Sequence, residues 1–156
     1  MLQTVYQYQA VLAGHDTVKE VVAILIIKEV EYAIRILDEL NKESPLSATE
    51  LSERRGMPSP FIYRVLKKLE TADILNIKRG VKGGYHIRAD LGELTLYDVI
   101  KAFDNTFIVI ECVKEEYDCT RNSESSCRMH RAFCDIQKTL QTEFQRKSLK
   151  ELLDGE

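Results

Sequence analysis

Residues 59–88 read SPFIYRVLKKLETADILNIKRGVKGGYHIR, and this stretch decides the fold. Its first half spaces four apolar side chains as one buried face of a helix does: Ile62, Val65, Leu66 and Leu69. Ser59 is predicted as the N-cap, with Pro60 at the first helical position, where a proline costs no hydrogen bond. The opposite face of this helix is therefore basic and aromatic, and it carries Tyr63, Arg64, Lys67 and Lys68.

The second half of the stretch predicts a β-hairpin. Residues 74–79 and 85–88 read as short strands, and the glycine-rich run at residues 80–84 predicts a flexible turn between them. Three helices followed by such a hairpin describe a winged helix-turn-helix. In that fold the third helix enters the major groove of DNA and the hairpin, or wing, lies over the backbone or the minor groove.

Two further helices are predicted before this stretch. The first covers residues 28–41, where apolar side chains follow the i, i+3, i+4, i+7 pattern of a buried face: Val30, Ala33, Ile34 and Leu37. The second begins at a capping box formed by Ser47 and Glu50 and ends at Gly56. The predicted fold class is therefore mainly α.

Charge is distributed unevenly along the chain, although the net charge is only −3. Residues 54–88 contain nine Lys or Arg and two acidic residues, whereas residues 91–126 contain three bases and eight acids. A basic segment on a recognisable helix and hairpin favours a surface that binds the phosphates of nucleic acid. The sequence therefore predicts double-stranded promoter DNA as a partner.

The C-terminal third predicts further helices and an association surface. Thr95 and Asp98 cap one helix, a long helix follows over residues 127–147, and Ser148 with Glu151 opens a short last one. Four apolar residues step along the long helix with the spacing of a helix–helix contact: Met129, Phe133, Ile136 and Leu140. Pairing with a second copy would cover this stripe, and a homodimer suits DNA recognition through paired half-sites. The alternative is packing against the first helix of the same chain.

All four cysteines lie within 23 residues, in the pattern C-x6-C-x7-C-x2-H-x3-C. Thiolate and imidazole are the ligands that hold iron–sulfur clusters and zinc. The longest apolar run, at residues 21–27, has seven residues, whereas a bilayer crossing needs roughly 20. We therefore expect a cytoplasmic protein with no membrane partner, in which clustered thiols bind metal rather than form disulfides.

Three segments together resemble a known family. The segment IKEVEYAIR at residues 27–35, the wing RGVKGGY at residues 79–85 and the cysteine array are similar to those of Rrf2-type winged-helix regulators, which include IscR-like and NsrR-like members. The resemblance covers residues 25–153. It implies a homodimer whose promoter binding changes with the state of an iron–sulfur cluster. A 2Fe–2S cluster is expected in preference to a 4Fe–4S cluster. Carried over by position, the three thiolate ligands are Cys112, Cys119 and Cys127.

The fourth ligand stays open between several candidates. His130 matches the histidine ligand of IscR-like members and would share a helix face with Cys127. Glu31 occupies the acidic position from which some members supply a carboxylate across the dimer. Cys134 has no counterpart in the family pattern: it is either a fourth thiolate, as in an all-cysteine cluster or a zinc site, or a small buried residue of the dimer interface. Exogenous ligands are a further alternative.

These inferences divide the chain into four parts. Residues 1–24 form an N-terminal extension, either a real added element or the product of an upstream start assignment. Residues 25–106 form the winged helix-turn-helix domain with its following helix, residues 107–130 the cluster-binding loop, and residues 127–156 the dimerisation helix with a short last helix. The DNA-binding residues are predicted on the third helix and the wing: Ser59, Tyr63, Arg64, Lys67, Lys68, Arg79, Lys82 and Tyr85.

The predicted function is transcription regulation in response to iron–sulfur status, redox state or nitric oxide. The alternative within that class is a thiol-based or zinc-stabilised winged-helix regulator without a cluster. A dithiol redox enzyme is a different class of function, but the chain has no C-x-x-C motif and such an enzyme would leave the basic winged segment without a role. We therefore expect no enzyme activity.

Overall fold

The computed structural model describes residues 27–80, 82–103, 107–114, 117–118 and 127–155. They form mainly helices, with one two-stranded antiparallel sheet, which confirms the predicted fold class. The elements in chain order are α1 (Lys28–Lys42), α2 (Ala48–Arg55), α3 (Ser59–Thr71), β1 (Leu75–Lys78), β2 (Gly84–Ile87), α4 (Leu96–Phe103), a 3₁₀ turn (Glu111–Val113), α5 (Arg128–Gln145) and α6 (Leu149–Asp154).

Reciprocal capping by a hydroxyl and a carboxylate three residues later begins three of the described helices, α2, α4 and α6, as predicted. The hydroxyl of Ser47 accepts a hydrogen bond from the N–H of Glu50 at 3.2 Å, and the Glu50 carboxylate accepts the Ser47 N–H at 2.8 Å. Ser148 and Glu151 repeat the arrangement at the start of α6. The predicted cap of α3 was wrong by one residue. Pro58 occupies the N-cap without a side-chain bond, and Ser59 is already helical because the following Pro60 is accommodated within the first turn.

A single buried cluster joins α1, α3 and α4. The four predicted core residues of α3 are all buried, and Leu46, Leu51, Leu75 and Leu149 close the cluster from neighbouring segments. The prediction for α1 was partly wrong, because Ile34 is only half-buried whereas Ile36 and Leu40 are buried. The first helix is covered on a broader face than the four-residue pattern suggested, because it packs against α3, α4 and β2.

The wing is tied to the chain before α2. Leu75 pairs with Ile87 and Lys78 with Gly84, so that β1 is shorter than the predicted range 74–79, whereas β2 has the predicted length but lies one residue earlier than 85–88. Backbone hydrogen bonds of 3.1 and 2.7 Å also join Leu46 to Tyr85. Gly83 and Gly84 do more than make the turn flexible, because a side chain at either position would collide with neighbouring backbone. A Cβ on Gly84 would lie 2.5 Å from the carbonyl oxygen of Leu46, and one on Gly83 would lie 2.2 Å from that of Lys78.

This close approach gives a testable expectation for Gly84→Ala. The added methyl group must push the wing away from Leu46, so we expect a loss of about 1–3 kcal/mol in the free energy of unfolding, as for other overpacked sites. Thermal or urea unfolding followed by circular dichroism measures it. Lys82→Ala, a change at an exposed residue of the same turn, serves as the control and should leave the midpoint nearly unchanged. An unaltered midpoint in Gly84→Ala would show that the contact is not tight in solution.

Helix α5 lies against α4 and the 3₁₀ turn. Its inner face is anchored by Gln137, which is buried and which donates to the carbonyl of Phe107 at 2.9 Å and accepts from the N–H of Val109 at 2.8 Å. Phe107 also meets Phe144 edge to face, with ring centroids 5.5 Å apart. These contacts fix the loop after α4 onto α5.

The predicted association stripe of α5 divides between two faces. Leu140 is half-buried and packs onto the core of its own chain, and Phe133 is half-buried as well. Met129 and Ile136 are 62% and 46% exposed, and Ala132 between them is exposed as well. Met129, Ala132 and Ile136, spaced i, i+3 and i+7, form one outward face that we call the outer apolar patch. In the described parts of the chain no helix is both long and apolar enough to cross a membrane.

Candidate DNA-binding surface and cysteine site

The outward face of α3 carries the predicted basic and aromatic residues. Tyr63 is 53% exposed, and the side chains of Arg64 and Lys67 are 58% and 73% exposed. Ser59 is exposed at the start of the helix, and Lys68 is half-buried. The structure therefore brings these five predicted residues onto one helix.

Two of these cations share an acidic partner on α1. The carboxylate of Glu29 forms one ion pair with Nε of Arg64, at 3.0 Å, and a second with Nζ of Lys68, at 2.7 Å. The guanidinium of Arg64 also lies 4.6 Å from the ring centroid of Phe61, and Lys68 lies 5.1 Å from that of Phe103. Sequence reasoning missed Glu29, because its partners lie more than 30 residues away and no local pattern marks it.

Most of the basic residues in 54–88 form ion pairs within the chain. Arg54 pairs with Glu43, Arg55 with Glu39 and Lys67 with Glu70, at 2.8, 2.6 and 2.9 Å. Arg88 pairs with Asp73 on the neighbouring turn. Of the nine basic residues in this range, three have no ion-pair partner in the described part of the chain, and all three lie on the wing: Lys78, Arg79 and Lys82.

Tyr85 holds the base of the wing. It is half-buried, and its backbone bonds to Leu46. Burial raises the pKa of Tyr85, and the negative charge of Glu70 acts in the same direction. The phenol therefore stays neutral at physiological pH and can donate a hydrogen bond. Arg79 and Lys82 are exposed beyond it, while Val81 lies outside the described residues.

Three of the predicted metal-binding residues lie at the start of α5: Cys127, His130 and Cys134. Cys127 is the N-cap residue, and its Sγ accepts the backbone N–H of His130 at 3.4 Å. On the next turn Sγ of Cys134 lies 3.4 Å from Nε2 of His130. The other ring nitrogen, Nδ1 of His130, is buried and has no hydrogen-bond partner among the residues that the structure describes. A buried imidazole nitrogen without a partner is costly unless something binds it.

The remaining predicted ligands are less completely defined. Cys112 lies on the 3₁₀ turn that contacts α5, and its thiol is free and half-buried. Cys119 lies outside the described residues. Within the described ranges, no three Cys, His, Asp or Glu side chains are close enough together to hold a metal ion. The donors that are described, thiols and an imidazole with one buried free nitrogen, fit an iron–sulfur cluster or zinc in their chemistry.

Glu31, the alternative carboxylate ligand, is already engaged on α1. It accepts a hydrogen bond from Lys28 at 2.6 Å and a second from Arg35. The bond from Lys28 is the main cause that lowers the pKa of Glu31. A ligand role for Glu31 would require these pairs to open.

Comparison with known proteins places the chain among regulators. The sequence model of the Rrf2 family, described as "Iron-dependent Transcriptional regulator", matches residues 26–155. The HTH-type transcriptional regulator IscR of Vibrio campbellii is 25% identical over 113 residues, which are 72% of this chain and 66% of that protein. Two solved structures share the fold. One is CymR of B. subtilis, titled the global cysteine regulator, with a TM-score of 0.66, 19% identity and coverage of 84% of this chain and 97% of that one.

The second is T. potens IscR, with a TM-score of 0.62, 18% identity and coverage of 86% of this chain and 90% of that one. At these identities the solved structures establish the winged-helix fold alone, whereas the family model covers most of the chain, from α1 to the end of α6. The chain therefore belongs to the Rrf2 family of DNA-binding transcriptional regulators and is not an enzyme.

Proposed function

We propose that the protein binds promoter DNA as a homodimer in the cytoplasm and that an iron–sulfur cluster at the cysteine site controls this binding. The observation that carries the proposal is the surroundings of His130: its backbone N–H donates to the Cys127 sulfur, its Nε2 lies 3.4 Å from the Cys134 sulfur, and its buried Nδ1 has no hydrogen-bond partner among the described residues. DNA binding itself follows from the family. What we propose in addition is which residues contact DNA and what controls that binding.

The third helix and the wing have different roles in this proposal. Tyr63, Arg64 and Lys67 are exposed on α3, where side chains of a recognition helix reach base edges in the major groove. Arg79 and Lys82 on the wing have no ion-pair partner among the described residues, so their charge is available to phosphates or to a narrow minor groove. Affinity therefore comes mainly from the wing, and base preference comes mainly from α3.

Arg79→Ala tests the contribution of the wing. Removing a cation that has no internal partner should weaken operator binding, lower the slope of log K against log salt by about 1 and reduce any preference for A·T tracts. The matched control is Arg88→Ala on the same hairpin, because Arg88 is already paired with Asp73 and should contribute less. Fluorescence anisotropy at several salt concentrations measures both. Equal slopes for the wild type and Arg79→Ala would remove the wing from the binding surface.

The outer apolar patch supports the homodimer. Met129, Ala132 and Ile136 leave apolar surface on a helix whose opposite face already packs against the core. A second copy of α5 can cover this patch by symmetric contact, which would set two winged domains side by side for paired half-sites. The partner expected at this patch is therefore a second copy of the chain.

The cluster would be held by Cys112, Cys119, Cys127 and His130, and it would supply a centre that responds to iron, oxidants or nitric oxide. His130 is favoured over Glu31 as fourth ligand because Glu31 is bound by Lys28 and Arg35. Cys134 stays an alternative because its thiol is within 3.4 Å of His130. The family resemblance favours a 2Fe–2S cluster over a 4Fe–4S cluster.

The ligands lie where they can influence the dimer helix. Cys127 caps α5 through its sulfur, and Cys112 lies on a turn that contacts the same helix. Further along α5, Gln137 holds the chain at residues 107–109, just before that turn. Binding or release at the cysteine site therefore acts on the first turns of α5, beside the outer apolar patch. A change at the site can thus alter how the two winged domains sit relative to each other.

A second candidate is a cluster-free regulator that uses zinc or a reactive thiol. The contact between Cys134 and His130 favours it, since an imidazole beside a thiol is the arrangement of reactive cysteines. The two candidates make opposite predictions about metal content.

Analysis of iron, acid-labile sulfide and zinc in anaerobically purified protein separates them. The proposal predicts a coloured protein with iron and sulfide in near-equal amounts, and little zinc. Stoichiometric zinc without sulfide would leave a DNA-binding protein with a structural metal. Metal-free protein whose DNA binding responds to oxidants, and is no longer responsive in Cys134→Ala, would favour the thiol mechanism.

A further inference from the structure

Glu29 has no role in the proposed function, yet its carboxylate contacts two cations of α3, the proposed recognition helix. Its side chain is only 17% exposed although it lies in the first turn of α1. It is bound by two cations of α3, Arg64 and Lys68. A largely buried carboxylate between two cations is a fixed feature rather than a solvated surface charge.

The geometry at Arg64 shows what this contact does. Glu29 binds Nε, at 3.0 Å, and the two terminal nitrogens of the guanidinium make no hydrogen bond to a described residue. The central carbon of the guanidinium lies 4.6 Å from the centroid of the Phe61 ring, and Phe61 meets Tyr32 of α1 edge to face at 5.0 Å. Arg64 is thus held by Glu29 and by Phe61, with its terminal nitrogens available and its side chain 58% exposed.

We propose that Glu29 is a positioning residue for base reading, which holds the Arg64 guanidinium so that its terminal nitrogens meet one base pair in the major groove. The inference rests on the proposed function of α3. Arginine reads guanine through two parallel hydrogen bonds from its planar fork, and an arginine fixed beforehand loses less conformational freedom on binding. Glu29 would not touch DNA itself.

The opposite role can be separated by experiment. A carboxylate beside two cations could simply weaken DNA binding by neutralising them, and its removal would then raise affinity for every sequence alike. A positioning role predicts opposite effects on non-specific affinity and on discrimination between bases. Removal of the negative charge raises non-specific binding, whereas discrimination at the base pair that Arg64 reads is lost.

The experiment uses the full-length protein and an operator selected by the wild type from random duplexes. Dissociation constants are measured for this operator, for its single-base variants and for unrelated DNA. Arg64→Ala identifies the base pair that Arg64 reads, as the position where a discrimination of about 10- to 100-fold disappears. Glu29→Gln, which keeps the size of the side chain, should lose most of the discrimination at that same base pair while binding to unrelated DNA rises.

The matched control is Glu70→Gln. It removes the same charge and frees Lys67 on the same helix, but it leaves Arg64 fixed. It should raise non-specific binding without loss of discrimination at the Arg64 position. The double variant Glu29→Gln with Arg64→Ala should discriminate there no worse than Arg64→Ala alone, because both changes remove one shared interaction.

Several outcomes would overturn the inference. Glu29→Gln that keeps the discrimination, or raises affinity equally for all duplexes, would show that Glu29 does not position Arg64. So would Arg64→Ala that relaxes no position. If Glu29→Gln folds poorly by circular dichroism, Glu29→Asp replaces it, since the shorter carboxylate keeps the charge but should also lose discrimination. A wild type that selects no sequence would instead contradict the proposed DNA reading, and this inference with it.

Discussion

Ile136→Asp is expected to convert the proposed dimer into a monomer and to abolish tight operator binding. Ile136 is 46% exposed within the outer apolar patch, and a symmetric contact would bury it twice, once in each copy. A carboxylate in such a contact must lose water without gaining a partner. Each winged domain would then bind one half-site alone, and the loss of linkage costs on the order of 100-fold or more in affinity.

Sedimentation velocity at micromolar concentration, followed by operator titration, tests this expectation. Lys138→Asp is the control, because Lys138 is exposed on the same helix outside the patch and its replacement should leave the dimer intact. Circular dichroism should show equal helix content in both variants, since neither side chain belongs to the buried core. A wild-type monomer, or a dimer of unchanged stability in Ile136→Asp, would exclude the outer apolar patch as the interface.

Cys127→Ala should abolish the visible chromophore and the bound iron of anaerobically purified protein. It removes a proposed ligand and also the sulfur that caps α5 through His130. Cys112→Ala and Cys119→Ala should lose the chromophore as well, because each removes a thiolate that water replaces poorly. His130→Ala should keep a paler and more labile centre, since one weaker ligand can be exchanged for water or a thiol.

Cys134→Ala is the matched control for this series, as a thiol on the same helix that is not among the preferred ligands. It should leave absorbance and iron content unchanged. An altered spectrum with unchanged iron content would instead show that loss of the contact with Cys134 shifts the His130 imidazole at the centre. A colourless Cys134→Ala beside an intact His130→Ala would reverse the assignment and define a four-cysteine site.

Features decided by neighbouring residues could be predicted from the sequence. The capping boxes at Ser47 and Ser148 and the buried face of α3 depend on spacings of three and four residues, which are visible in the chain itself. The hairpin after α3 was found for the same reason. Its glycines were interpreted incompletely, because the obstacle to a side chain at Gly84 is the backbone of Leu46, which is distant in sequence.

Features decided by packing could not be predicted. The excess of basic residues in 54–88 suggested a broadly positive surface, but ion pairs to acidic residues of α1 and of its C-cap neutralise much of it. In the described part of the chain, the cations of this range that remain unpaired lie on the wing. The apolar stripe of α5 looked continuous, yet Leu140 packs inward and Ile136 points outward. A helical pattern alone does not say which side of a helix its own domain covers.

The cysteine site lies between these two cases. The spacing from Cys127 to His130 predicted that both would share a helix face, and the structure adds a direct contact between Cys134 and His130. The distances that join Cys112 and Cys119 to this pair depend on the course of the loop between them. Spectroscopy of the substituted proteins therefore provides the assignment that the spacing leaves open.

The proposed function requires that occupancy of the cysteine site controls DNA binding. The most direct test takes one anaerobic preparation, removes the cluster from half of it and titrates both halves against the same selected operator by fluorescence anisotropy. We expect affinities that differ by at least about fivefold, the lower range of coupling between two linked sites. Equal affinities for the loaded and stripped protein would contradict it.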